Sequence, residues 1–162
     1  MAWADKLSVK KGDMGETIVD KILLNKGVIP YAPIADKAHP FDRLCATDDK
    51  KTIYVVEVKT KARRTYYADT GFNIITYDDY VNIQNKYGLM VYVFFVDEWI
   101  KKIYGGSLDS IARPLKSGNI EYPFKKGRVI YFPLKNMHVF CDLDSESAER
   151  LKQLSNRNYE YA

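Results

Sequence analysis

Two charged residues lie inside a segment that is otherwise apolar. Residues 52–59 read TIYVVEVK, and their β-branched side chains and alternation predict a strand. A period of two places Glu57 and Lys59 on one face and Val58 on the other. Burying a carboxylate and an ammonium is costly unless they are paired or liganded. The two side chains therefore indicate either an ion pair on an open sheet edge or a functional site.

A second carboxylate precedes the neighbouring predicted strand, 43–46. Asp42 follows Pro40 and Phe41, and a hairpin joining the two strands would bring its side chain beside that of Glu57. Mg²⁺ prefers oxygen ligands and is commonly held by one or two carboxylates and a substrate phosphate. Such an ion stabilises charge on phosphoryl oxygens and lowers the pKa of bound water. With Lys59 orienting the water or neutralising the growing charge, the set suits metal-assisted phosphodiester cleavage.

The elements that must position these residues follow from periodicity. A first helix is predicted from Asp13 as N-cap, with Glu16 three residues later and Gly27 at its end. A second helix is predicted from a Thr76 cap to Gly88. The remaining predictions are strands at 28–32, 43–46, 52–59 and 89–96, an edge strand at 99–104, a short helix at 108–113, strands near 120–124, 128–132 and 137–142, and a helix from about 145. The order α-β-β-β-α-β indicates a mixed sheet flanked by helices.

On these residues the chain resembles the PD-(D/E)XK nuclease superfamily, with HPFD at 39–42 and EVKTK at 57–61. The resemblance implies Asp42 and Glu57 as metal ligands, the Val58 carbonyl as a further ligand, Lys59 as the catalytic lysine, and Glu16 as the helical glutamate that completes the site. It implies Mg²⁺ as cofactor, with Mn²⁺ as a substitute. Phe41 separates the proline from the aspartate, which departs from the literal motif.

The implied fold class is α/β, a restriction-endonuclease-like core with a mixed β-sheet flanked by helices, a C-terminal β-rich extension and a terminal helix. We expect one domain over 1–162, with the core at about 10–97 and the extension at about 98–162. The small Holliday-junction resolvases of the superfamily are of similar size and work as dimers, so a homodimer is expected. A short restriction-like or phage-like nuclease is equally compatible.

The charge pattern suits a nucleic-acid partner without requiring one. The chain has 25 basic and 21 acidic residues, a net charge of +4 and a pI near 8.9. Lys61, Arg63 and Arg64 are predicted to contact phosphates, and tyrosines among the basic residues (Tyr66, Tyr67, Tyr122 and Tyr131) to stack on bases. A solvated basic loop is the alternative.

The composition also bears on location. No stretch of 18 apolar residues is present, so no membrane span is expected, and the N-terminus does not resemble a signal peptide. The two cysteines, Cys45 and Cys141, do not form a disulfide framework. Both observations favour a cytoplasmic protein.

The leading hypothesis is an Mg²⁺-dependent endonuclease acting on DNA, directed by structure or by ends, with RNA not excluded. The alternative is a non-catalytic nucleic-acid- or protein-binding module on the same fold. Single residues have simpler roles open to them. Glu16 can complete a capping box, Asp42 can cap a turn, and Glu57 with Lys59 can be a cross-strand ion pair. A loop is predicted at 66–71, where Asp69 has a turn role in preference to a metal role.

Overall fold

The computed structural model describes residues 6–34 and 39–155. Its helices are α1 (Leu7–Asn25), α2 (Ile74–Tyr87), α3 (Leu108–Ile111) and α4 (Ser145–Gln153). Its strands are β1 (Ile29–Tyr31), β2 (Arg43–Ala46), β3 (Ile53–Thr60), β4 (Asp69–Asn73), β5 (Met90–Asp97), β6 (Lys102–Ser107), β7 (Leu115–Ser117), β8 (Ile120–Tyr122), β9 (Phe124–Lys126), β10 (Val129–Pro133) and β11 (His138–Asp142). None of the described helices is long and apolar enough to cross a membrane.

The central sheet is mixed, as predicted. Its six described strands lie in the order β1-β2-β3-β5-β6-β11. The β1–β2–β3 and β5–β6–β11 pairings are antiparallel, whereas β3 and β5 run parallel because α2 forms the crossover between them. The sheet therefore has β3 near its centre, with a neighbour on each side, and the charged residues of that strand are not on an open edge.

Both faces of the sheet are covered, which explains the apolar pattern of β5 on both of its faces. On one face, Val19 of α1 and Leu151 of α4 pack with Val56 and Phe94. On the other face, the core consists of residues from β3, β5, α2, α3 and the extension, among them Val55, Val93, Tyr80, Ile111 and Phe132. Strand alternation therefore directs Glu57 toward this second face, together with Val55.

Strand β4 forms a second antiparallel sheet with two strands of the C-terminal part, in the order β4-β10-β9, and β7 and β8 form a hairpin. The loop predicted at 66–71 is wrong in its second half, since β4 begins at Asp69 and pairs with β10. Its partner lies some sixty residues later, so no local pattern signals the strand. At Gly71 a Cβ would overlap the carbonyl oxygen of Ile130, and only glycine allows this close pairing. The predicted strand at 120–124 is divided at Pro123 into β8 and β9.

Two predicted helix starts are also wrong, and so is one predicted edge strand. Helix α1 begins at Leu7, so Asp13 lies inside it and is not its cap. Helix α2 begins after Asn73, whose side chain accepts the N–H of Ile75, and Thr76 lies within the helix. Strand β6 is not an edge strand, because β5 and β11 pair with its two sides. Asn73 is itself a favoured cap residue, and only the second neighbour of β6 comes from a distant part of the chain.

Candidate active site

The β2–β3 hairpin brings Asp42 to Glu57. Arg43 pairs with Val56 in the antiparallel register, so Asp42 lies beside the carboxyl-terminal half of β3. One Asp42 carboxylate oxygen accepts the backbone N–H of Val58 at 2.7 Å. Val58 in turn lies in parallel register with Phe94 of β5. The simple turn-capping role for Asp42 is therefore wrong, because its side chain bonds a central strand.

Glu57 is a buried carboxylate, 3% exposed. One of its oxygens accepts from the Lys59 ammonium and the other from the Tyr80 hydroxyl of α2. Burial raises the pKa of Glu57 to about 7, and the Asp42 charge adds to the rise while Lys59 and Tyr80 oppose it. Near neutral pH this carboxyl is therefore poised between its two protonation states.

Lys59 lies at the border between this buried group and solvent. Its side chain is 29% exposed, and its ammonium is 5.9 Å from the centre of the Phe72 ring. The alternative of a cross-strand pair on a wet edge is wrong, because β3 is a central strand and Glu57 is buried. The ammonium thus has one partner inside the protein and access to the outside.

Glu16 reaches the same region from α1. Its carboxylate accepts from Arg43 at 2.8 Å, and the Arg43 guanidinium also binds Asp20 and the backbone carbonyl of Asp42. Burial raises the pKa of Glu16, and the Asp42 charge raises it further against the lowering by Arg43. The capping-box role for Glu16 is wrong, because Asp13 is not the helix cap. Close approach of the helix depends on Gly15, where a Cβ would overlap the Thr60 hydroxyl.

Three carboxylates therefore converge electrostatically, since the charge of Asp42 acts on both Glu16 and Glu57. A cation would relieve this excess of negative charge, and carboxylate oxygens are the ligands that Mg²⁺ prefers. The donor set fits such an ion chemically. Within the described residues, however, no group of three His, Cys, Asp or Glu side chains is arranged to hold a metal. In this structure Lys59 and Tyr80 bond the Glu57 carboxylate, and Arg43 bonds that of Glu16.

Sequence reasoning missed Tyr80 and Arg43. Tyr80 is 2% exposed and belongs to a helix whose apolar pattern is weak, so nothing local distinguishes it. Arg43 directly follows Asp42 at the first position of β2, and its burial is not visible in the sequence. Both residues act on the carboxylates that were predicted. The ring nitrogen of His39 lies 2.7 Å from the Phe41 carbonyl.

The predicted phosphate-binding residues follow β3 and have partners within the protein. Lys61 donates to the Gly71 carbonyl at 2.9 Å, and the Arg63 guanidinium donates to the Tyr67 carbonyl at 3.3 Å. Arg64 forms an ion pair with Asp69, which is fully buried. The turn role predicted for Asp69 is therefore wrong. Phosphate contacts by the three cations stay a prediction.

The fold has a counterpart among solved structures. No family model matches the chain, and no curated protein matches it significantly. The structure of Hjc, a Holliday junction resolvase from the archaeal hyperthermophile Archaeoglobus fulgidus, is similar with a TM-score of 0.52 and 14% sequence identity. The match covers 85% of this chain and 99% of that chain. At this identity the likeness shows the fold alone, a central mixed sheet flanked by helices as in restriction-endonuclease-like proteins. The fold class predicted from the sequence is confirmed.

Proposed function

We propose that the protein is a divalent-metal-dependent nuclease that hydrolyses phosphodiester bonds in DNA. The observation that carries the proposal is the convergence of Glu16, Asp42 and Glu57 on one end of β3, with the Lys59 ammonium beside them. Glu57 is buried and the other two carboxylates are partly buried, and placing partly buried carboxylates beside a buried one is unfavourable for a purely structural role. The likeness in fold to a protein described as a Holliday junction resolvase supports the same reading.

In this proposal Asp42 and Glu57 hold Mg²⁺, for which Mn²⁺ can substitute, and the Val58 carbonyl supplies a further oxygen. The ion, when bound, lowers the pKa of a water and stabilises charge on the phosphoryl oxygens. Glu57 must be ionised to serve as a ligand, and its pKa of about 7 makes that step sensitive to pH. Glu16 adds a third negative charge from α1, and Arg43 limits its repulsion with Asp42.

Lys59 assists the attacking water in this proposal. Its ammonium contacts a Glu57 oxygen and its side chain is partly exposed, so in this proposal it contacts both a metal ligand and a substrate phosphate. A positive charge held at this position neutralises charge as it develops on the phosphate. The proposed role needs the charge of the lysine and its place on the same strand face as Glu57.

The proposed substrate is DNA recognised by structure or by ends. We expect recognition of shape through phosphate contacts, which Lys61, Arg63 and Arg64 are predicted to make. A twofold dimer is the natural arrangement for cutting two strands, and we propose a homodimer on that ground. Cys45 and Cys141 are both free thiols, which agrees with a proposed cytoplasmic location.

A cleavage assay on labelled nucleic acids tests the proposal. Single-stranded, duplex, flapped and four-way DNA, with matching RNA forms, would be incubated with Mg²⁺, Mn²⁺ or EDTA. Wild type would be compared with Lys59→Ala and with the matched control Lys102→Ala. Lys102 is also a strand lysine paired with a carboxylate, Asp142, but both are exposed and lie on β6 and β11.

Metal-dependent products that are lost in Lys59→Ala and retained in Lys102→Ala are the expected result. Full activity of a folded Lys59→Ala protein would overturn the assignment. If no form is cut and nucleic acid still binds with strong salt dependence, the protein is the non-catalytic binding module instead.

A further inference from the structure

A cleft of about 330 Å³ opens next to the proposed active site. It lies between the segment that follows β3 and the small sheet formed by β4, β10 and β9. Lys61, which directly follows the last residue of β3, contributes to its wall two residues beyond Lys59. Strand β4 joins the two places, because its Phe72 lies near Lys59 and its Thr70 lines the cleft. A group bound in the cleft therefore lies close to the proposed reaction centre.

The lining of the cleft combines positive charge with aromatic surface. The cations are Lys61, Arg63, Arg64 and Lys126, and no carboxylate is among the lining residues. Phosphates pair with such cations, and unstacked bases stack on aromatic rings. The most exposed of the rings, Tyr66, is 85% exposed. A side chain this accessible contributes little to folding and is available to a ligand.

One wall of the cleft is rigid. The Arg64 guanidinium lies between two tyrosine rings, 4.2 Å from the centre of Tyr67 and 4.1 Å from that of Tyr131. Its position is fixed by Asp69, which also accepts the Tyr122 hydroxyl at 2.6 Å. Tyr122 is consequently part of the supporting core and not a stacking surface. A preformed wall of this kind lowers the entropy cost of binding.

A second observation points to a ligand at the same place. Thr70 lines the cleft, is 1% exposed, and its hydroxyl has no hydrogen-bond partner among the described residues. Leaving a buried hydroxyl unpaired is unfavourable by an amount comparable to a lost hydrogen bond. A base or phosphate in the cleft would supply the missing partner, directly or through a water.

We infer that the cleft binds one unpaired nucleotide of a DNA strand, with its base against Tyr66 and its phosphate on the cations. The inference rests on the proposed function and narrows the class of DNA substrate. A nucleotide can enter the cleft only if it is not stacked in a duplex, so the substrate has unpaired nucleotides beside the bond that is cut. Flaps, gaps and single-stranded ends have that property, whereas continuous duplex does not.

Fluorescence of 2-aminopurine in a short single-stranded oligodeoxynucleotide tests the inference, because stacking quenches it. Binding would be measured in EDTA, so that cleavage plays no part, with a continuous duplex of the same sequence alongside. We expect tighter binding of the single strand, with quenching. Tyr66→Ala should weaken the binding about tenfold. Tyr87→Ala, which removes an exposed tyrosine at the other end of the sheet, is the matched control.

Thr70→Val gives a second and sharper readout, since it keeps the shape and removes only the hydroxyl. We expect it to weaken single-strand binding by roughly two- to tenfold while leaving thermal stability unchanged or higher. A merely structural threonine would not show this combination. If Tyr66→Ala and Thr70→Val both bind and quench the probe as wild type does, the inference is overturned.

The two proposals fail separately. A protein that cuts DNA but whose Tyr66→Ala and Thr70→Val variants bind like wild type is a nuclease without this nucleotide cleft. If the protein stacks the probe through these residues but cuts no DNA with any metal, the proposal of a nucleotide cleft stands and the proposed nuclease function is overturned. Tight binding of continuous duplex without quenching also contradicts the cleft.

Discussion

Two buried carboxylates, Glu57 and Asp69, have similar partners and different surroundings. Each accepts from one cation and one tyrosine hydroxyl. We call the two sets the Glu57 group (Glu57, Lys59, Tyr80) and the Asp69 group (Asp69, Arg64, Tyr122). Each carboxylate is almost inaccessible, at 3% for Glu57 and 0% for Asp69. By residue type and burial alone, neither group is marked as the functional one.

The difference lies in the charges around them. Glu57 has Asp42 nearby, and Asp42 also acts on Glu16, so that group carries excess negative charge and Glu57 has a pKa of about 7. Asp69 faces a guanidinium that binds both of its oxygens, and this pairing raises the pKa of Arg64. A balanced pair belongs to the scaffold, whereas an unbalanced cluster can attract a cation.

The largest effect is expected for Glu57→Gln. Loss of a proposed metal ligand should lower the cleavage rate by roughly 100-fold or more. This loss is larger than the one expected for a residue that only orients a ligand. The free energy of unfolding should stay the same or rise, because the amide removes a buried charge. Cleavage rates and urea unfolding of the same preparation measure both. Wild-type cleavage by this variant would contradict the proposed role of Glu57.

Asp69→Asn should show the opposite pattern. It leaves the Arg64 guanidinium without its counter-charge, and breaking a buried pair costs about 3 kcal/mol of unfolding free energy. Because the Arg64 side chain is 20% exposed, solvent screening reduces that cost. Mg²⁺ affinity, measured by calorimetry, should be unchanged. A loss of metal affinity with normal stability would show that the Asp69 group, and not only the Glu57 group, serves the site.

The pH dependence of stability distinguishes the Glu57 group from the Asp69 group, and this test needs no substitution at Asp69. The pKa of Glu57 is near 4.5 when unperturbed and about 7 in the folded protein. Between these values the folded state retains a proton that the unfolded state has released, so the unfolding free energy falls as pH rises through this interval. The fall attributable to Glu57 is of the order of a few kcal/mol and ends above about pH 7.

Urea unfolding of wild type and Glu57→Gln at several pH values measures this contribution, since other titrating groups are common to both proteins. The difference in unfolding free energy should grow from pH 4.5 to 7 and then stay constant. Identical pH profiles for the two proteins would mean that Glu57 titrates normally. Metal binding should strengthen over the same interval, as the carboxyl loses its proton.

The smallest effects are expected for substitution of the two tyrosines, Tyr80 and Tyr122. Tyr80→Phe and Tyr122→Phe each remove one hydrogen bond to a buried carboxylate and should each cost about 1 kcal/mol of stability. Only Tyr80→Phe should change the pH profile, moving metal-dependent cleavage to higher pH, because the hydroxyl lowers the pKa of Glu57. If the pH profile of cleavage shifts in Tyr122→Phe as well, the Glu57 group and the Asp69 group do not act separately.

Local patterns predicted the parts of the molecule that have local causes. The span 43–46 agrees with β2, and the β-branched run around Glu57 agrees with β3 to within a residue at each end. Strand β4 was missed, because it depends on β10, which is distant in sequence. The start of α1 was misplaced, because Asp13 resembles a cap although the helix continues to Leu7. Long-range pairing overrides the local signal at β4, whereas at α1 a residue type favoured at helix caps misled the prediction.

For the candidate site, the sequence by itself determined which residues carry the chemistry. Glu57 and Lys59 stood out because charge within an apolar strand is costly, and Asp42 because a hairpin would bring it to Glu57. Tertiary structure alone decided their electrostatics. Burial against α2 and the approach of a second carboxylate raise the pKa of Glu57, and Tyr80 and Arg43 come from positions without a local signal. Burial and the distances between charges depend on packing between elements that are far apart in the chain.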